Sequence, residues 1–196
     1  DAERVALIPT SSYGAAIVAN NLRPEAGQNI VLLADQFPSN VYPWHKWRDD
    51  GVQIRMIAAD NELAWVKEEA KGGPTRAEAW NTSLLAAIDD QTALVAIEQA
   101  HWTDGTLFDL VAIGRRCREV GATYLIDATQ TVGTMALDVS QVQPDALIVH
   151  SYKAMLSNYG LGFIVLGERF ANGMPIEQNW LLRKGSEDFS GLLDYQ

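Results

Sequence analysis

Short runs that are apolar at nearly every position alternate along the chain with longer segments whose apolar residues recur at helical spacing. Asn29–Ala34, Gln53–Ala58, Thr92–Ile97, Thr123–Ile126, Ala146–Val149 and Phe163–Leu166 read as strands. Between them, Ser12–Leu22, Tyr42–Asp49, Arg76–Ile88 and Leu107–Val120 read as helices. Ser11 or Ser12 suits the first N-cap, and Gly51 and Gly121 suit helix stops. Asp1–Ile8 reads as a lead-in, and Gly72-Gly73-Pro74 marks residues 60–76 as a loop. A strand apolar on both faces must be covered on both faces. The pattern therefore predicts an α/β fold, a mostly parallel sheet sandwiched between two helical layers.

Composition narrows the classes. The chain has 196 residues, 47% hydrophobic and 20% charged, which suffices for one sizeable core. No run reaches the ~18 apolar residues of a membrane-spanning helix. Fifteen Lys+Arg against 25 Asp+Glu, a formal net charge of −10 and no long basic run argue against nucleic acid or a membrane surface as partner. The single cysteine, Cys117, excludes an intrachain disulfide and a cysteine-based zinc site, and suits the reducing cytoplasm. It lies within a predicted helix and reads as a small buried hydrophobe.

In doubly wound sheets, ligands bind beyond the carboxyl ends of the strands. Just after predicted strands stand Asp35-Gln36-Phe37-Pro38-Ser39-Asn40, Gln99-Ala100-His101-Trp102, Asp127-Ala128-Thr129-Gln130 and His150-Ser151-Tyr152-Lys153. Thr10-Ser11-Ser12-Tyr13-Gly14 opens a helix, whose free N–H groups and positive dipole end suit a phosphate. A lysine amine removed from bulk water is a nucleophile. A buried carboxylate holds a ring nitrogen protonated, and an aromatic side chain stacks on a planar heterocycle. Phosphate, ring nitrogen, ring face and aldehyde together describe pyridoxal 5′-phosphate (PLP). No G-x-G-x-x-G follows the first strand, and neither a P-loop nor a G-x-S-x-G elbow occurs, so a dinucleotide fold, a P-loop NTPase and an α/β-hydrolase fall away.

The run Tyr124-Leu-Ile-Asp127-Ala-Thr-Gln130-Thr-Val-Gly133, then Asp145-Ala-Leu-Ile-Val-His-Ser-Tyr-Lys153 and Tyr159-Gly160-Leu-Gly162, resembles the class V aminotransferase family. That family is a branch of the fold-type I PLP enzymes, with cysteine desulfurases, kynureninases and isopenicillin epimerase-like proteins among its members. Ser11-Ser12-Tyr13-Gly14, Phe37-Pro38-Ser39-Asn40 and His101-Trp-Thr-Asp-Gly105 look like the same family in the same order. The resemblance implies a seven-stranded mixed sheet with one antiparallel strand, for which Phe163–Leu166 is the candidate.

It also implies roles. Lys153 would be the Schiff-base lysine and proton shuttle, Asp127 the partner of the pyridine nitrogen, and Gln130 a partner of the 3′-oxygen. Phe37 would stack on the cofactor ring, although a lone Phe is as readily a core residue. Ser12, with Ser11 and Tyr13, would hold the phosphate together with Tyr152 and His150. His101 is an even choice between a cofactor contact and a buried histidine with satisfied nitrogens. Desulfurases commonly carry Ser-x-His before the lysine, and His150-Ser151-Tyr152 is closer to kynureninases. Arg183 matches no substrate-carboxylate arginine. The expectation is a PLP-dependent enzyme acting on a small-molecule amino acid or related amine by transamination, epimerisation, elimination or lyase chemistry. Residues 1–196 would be its large PLP-binding domain, cut from a longer cytoplasmic chain that forms a homodimer and carries an N-terminal segment and a C-terminal small domain. A non-catalytic domain of the same fold, serving as a binding or assembly module, is the alternative.

Overall fold

The computed structural model describes residues 2–58, 71–191 and 193. Seven strands form one sheet: β1 (Val5–Ile8), β2 (Asn29–Leu33), β3 (Gln53–Ile57), β4 (Thr92–Glu98), β5 (Thr123–Asp127), β6 (Ala146–His150) and β7 (Gly162–Leu166). Their spatial order is β1-β7-β6-β5-β4-β2-β3. All pairings are parallel except those of β7, which runs antiparallel to both β6 and β1. The expected antiparallel strand is therefore Phe163–Leu166, extended by Gly162. At Gly162 a Cβ would lie 2.4 Å from the Val149 carbonyl oxygen, so only glycine permits this approach of β7 to β6.

The helices are α1 (Ser11–Asn21), α2 (Arg76–Ala87), α3 (Leu110–Val120) and the single turn α4 (Val139–Val142). Alternation along the strands divides the core in two. Val31, Leu33, Val95, Ile97, Ile126 and Val149 pack with Trp80 and Leu84 of α2 and Ile113 and Cys117 of α3. Ile30, Leu32, Leu94, Ala96, Leu125 and Ile148 face α1, through Ala15, Val18 and Ala19, together with Trp44 and Trp47. α1 lies close to the sheet because a Cβ on Gly14 would meet Ile8 Cδ1 at 2.9 Å and Ile148 Cγ1 at 3.0 Å.

Several boundaries differ from the sequence reading, each for a local reason. α1 begins at Ser11 because Thr10 is the N-cap, its hydroxyl accepting from the Tyr13 N–H at 3.1 Å. α3 begins at Leu110, not Leu107, because Asp109 caps the Ala112 N–H and Leu107 instead bridges Ala100. Tyr42–Trp47 forms a 3₁₀ helix rather than an α-helix, closed by i→i−3 bonds such as Arg48 N–H to the His45 carbonyl. Val5–Ile8 is a strand, not a lead-in. Gly72-Gly73-Pro74 lies in turn and coil as expected, and residues 59–70 of the expected loop lie outside the described residues. No helix among the described residues is long and apolar enough to cross a membrane.

Candidate active site

β4, β5 and β6 each run one residue further than their apolar patterns indicate, and end on Glu98, Asp127 and His150. By alternation these three share the α1 side of the sheet with Ala96, Leu125 and Ile148. At that edge lies a cavity of about 210 Å³. It is lined by Thr10, Ser11 and Ser12 at the start of α1, Phe37 and Ser39 from the turn after β2, Asp127, Thr129 and Gln130 at the end of β5, and His150, Tyr152, Lys153 and Tyr159 at the end of β6 and beyond. Larger grooves, of about 490, 450 and 340 Å³, share none of these lining residues.

Lys153 is half-buried, and its Nζ donates to Gln130 Oε1 at 2.6 Å. The same nitrogen stands 5.6 Å from the Phe37 ring centroid and 5.8 Å from that of Tyr152. The Asp127 carboxylate is buried, with one oxygen accepting from the Thr129 N–H at 3.0 Å. Burial pushes this carboxyl above the ordinary range, against the pull of the Thr129 hydrogen bonds, Lys153 and His150. A cation brought to its second oxygen would reverse that shift. His150 is held in place at its backbone, whose N–H donates to Thr129 Oγ1 at 2.9 Å. Burial lowers its imidazole pKa, Lys153 adds to the effect, and its Nε2 is buried without a protein partner. Its ring packs edge-on against Tyr152, which stacks on Tyr159 at 4.2 Å. At the far wall, Ser12 Oγ donates to Ser39 Oγ at 2.8 Å.

The structure thus brings together Lys153, Asp127, Gln130, Phe37, Ser11, Ser12, Tyr152 and His150. It does not bring in the Tyr13 and His101 side chains. Tyr13 lines the neighbouring apolar groove, and its hydroxyl meets Glu177. His101 is buried against Trp80, with Nε2 on the Ala34 carbonyl at 3.0 Å and Nδ1 on Thr103 Oγ1 at 2.7 Å. Both nitrogens are engaged, and of the two readings of His101 the geometry matches the buried histidine. The reading from sequence placed Thr10, Ser39, Thr129 and Tyr159 in its motif runs but gave them no role in the site, and all four line the cavity. Ser39 and Thr129 share turns with Phe37 and Asp127, and that adjacency was the available signal.

The protein-family model for class-V aminotransferases matches residues 2–180. The chain belongs to the class-V aminotransferase family. It is 32% identical over 162 residues to a probable cysteine desulfurase of Methanothermobacter thermautotrophicus, covering 83% of this chain and 37% of that one. It is 24% identical over 187 residues to the uncharacterized aminotransferase YcbU of Bacillus subtilis, covering 95% of this chain and 46% of that one. Among solved structures, a variant of C-DES with glycine covalently linked to its PLP cofactor superposes with a TM-score of 0.73. It is 18% identical over 89% of this chain and 43% of that one, a likeness of fold. The chain therefore spans less than half the length of these relatives, and its sheet is the mixed seven-stranded sheet of the fold-type I α/β class.

Proposed function

We propose that this chain binds PLP and acts on an amino acid or related amine through Lys153. The observation that carries the reading is the Lys153 amine, held at 2.6 Å by Gln130 in a cavity that also contains a buried carboxylate. The residues fit the cofactor at each of its ends. Asp127 has an oxygen to offer a protonated ring nitrogen, and that cation would relieve the burial of its charge. The first N–H groups of α1, at Ser11 and Ser12, are not taken by the Thr10 cap, and Ser11, Ser12 and His150, with its unpartnered Nε2, line the same cavity. Tyr152 adds a hydroxyl, and Phe37 a ring face beside Lys153.

When bound, PLP supplies an aldehyde for the lysine and an electron sink for charge developing at the substrate carbon. Lys153 would hold the cofactor through its amine and would carry a proton at the substrate carbon. Gln130 restrains the amine through its hydrogen bond, and Asp127 would keep the ring nitrogen protonated. A desulfurase reaction draws no nucleophile from the one cysteine here: Cys117 is buried in α3, and burial pushes its thiol up to about 12. The same reading includes a homodimer, supported by Met155, Leu156 and Leu161, exposed apolar residues in the segment that follows Lys153, and testable by sedimentation. The expected cytoplasmic location is supported by this unpaired thiol.

The test is visible absorption. Wild-type protein with added PLP should show the band of a lysine-bound cofactor, and Lys153→Ala should lack it. Absence of the band from wild type, or its persistence in Lys153→Ala, refutes the proposal. A screen of amino acids for spectral shifts then identifies the substrate class.

A further inference from the structure

β2 and β4 are neighbours in the sheet, so the loops that leave their carboxyl ends run side by side. Three hydrogen bonds stitch these loops together, and a fourth ties the second loop back to its own strand. His101 Nε2 meets the Ala34 carbonyl at 3.0 Å, and Trp102 Nε1 donates to the Asp35 carbonyl at 2.6 Å. The other two converge on one side chain: the Phe37 N–H donates to Glu98 Oε1 and the Trp102 N–H to Glu98 Oε2, each at 2.8 Å. Each carboxylate oxygen therefore holds one loop. Glu98 is 1% exposed, and burial pushes its carboxyl up to about 7. The Asp127 charge acts in the same direction, and Lys153 and the two N–H groups oppose it.

A buried carboxylate is a costly way to fill space. What it supplies, and an apolar residue of equal size does not, is two acceptors at a fixed spacing for two N–H donors. The result is visible in the rings. Phe37 stands edge-on to Trp102 with centroids 5.6 Å apart at 89°, beside the Lys153 amine.

We propose that Glu98 is a positioning residue: by bonding the Phe37 and Trp102 amides with its two oxygens, it locks the Phe37 ring against Trp102 and presents it to a bound heterocycle in a single orientation. The tethering stands on the geometry alone. The presentation rests on the PLP reading above.

Two arms test it on the 196-residue chain. In amide hydrogen exchange without cofactor, the Phe37 and Trp102 amides should be protected in wild type and exchange at least about tenfold faster in Glu98→Ala. Glu98→Gln keeps one acceptor and should restore one amide of the two. Unchanged exchange in Glu98→Ala overturns the proposal, and so, should that variant not fold, does rapid exchange of both amides in wild type. In the second arm, PLP binding is followed by quenching of tryptophan emission. Glu98→Gln should weaken binding about tenfold in the wild-type background and leave it unchanged in a Phe37→Ala background, because Glu98 acts through that ring. Equal losses in both backgrounds overturn the proposal. Failure of wild type to bind PLP refutes the cofactor reading, and the exchange arm still decides the tether.

Discussion

Glu98 should make the protein less stable as pH rises through neutrality. Its carboxyl titrates at about 7 in the folded chain against an ordinary 4.5. Between those values the native state keeps a proton that the unfolded state has released, so stability falls with rising pH across that window, and the contribution of this one group is gone above 7. The difference corresponds to about 3 kcal/mol, at about 1.36 kcal/mol per pH unit, an upper figure for one group. Glu98→Gln abolishes the titration while keeping the shape. Near pH 4 the variant and wild type should be about equally stable, because a neutral carboxyl and an amide each offer one acceptor and one donor. At pH 8 the variant should be more stable by up to about 3 kcal/mol. Urea unfolding followed by tryptophan emission at pH 4, 5, 6, 7 and 8 measures both curves. Asp127, also shifted upward by burial, is present in both proteins and largely cancels in the difference. Parallel pH profiles, or a variant less stable at pH 8, would refute the argument that desolvation dominates at Glu98.

Other substitutions probe other links. Asp127→Asn should leave the unfolding midpoint near wild type at neutral pH but reduce turnover by at least about 100-fold, since a neutral amide does not hold a ring nitrogen protonated; steady-state kinetics with the identified substrate reads it. Gly162→Ala places a methyl 2.4 Å from the Val149 carbonyl and should cost about 1–3 kcal/mol by overpacking, visible in the urea midpoint. Cys117→Ser puts a hydroxyl into the apolar seam between α3 and the sheet; it should cost about 1–3 kcal/mol and leave the PLP absorption band intact.

The central strands β2, β4, β5 and β6 were legible because each is apolar on both faces, and the antiparallel place of Phe163–Leu166 followed from the resemblance. The edge strand Val5–Ile8 was not: it is a short apolar run, but three of its four residues are exposed, Leu7 at 77%, and only its pairing with β7 makes it a strand. The places of Lys153 and Asp127 at strand ends were legible from residue type, and Gln130 came from the resemblance alone. Glu98 was not legible, because an acidic residue at a strand end reads as the start of a loop, and only the β4–β5 register places it beside Asp127. His101 and Tyr13 show the limit in the other direction. Both stand at site positions in the sequence, but a side chain's direction is set by neighbours that no linear spacing encodes, here Trp80 and Ala34 for one and Glu177 for the other.

β1 has one neighbour in the sheet, β7, and the two meet through Val5 and Val165 across 160 residues of chain. α1 follows β1 after only Pro9 and Thr10, so the helix end proposed to grip an anion is anchored by a strand just before it and by another synthesised about 160 residues later. On a ribosome that anchor cannot form until β7 has emerged, well after the turns bearing Phe37 and Asp127 exist. Capacity to bind an anion beside Lys153 would thus report closure of the whole sheet, and a truncated or half-folded chain would be silent in the same assay.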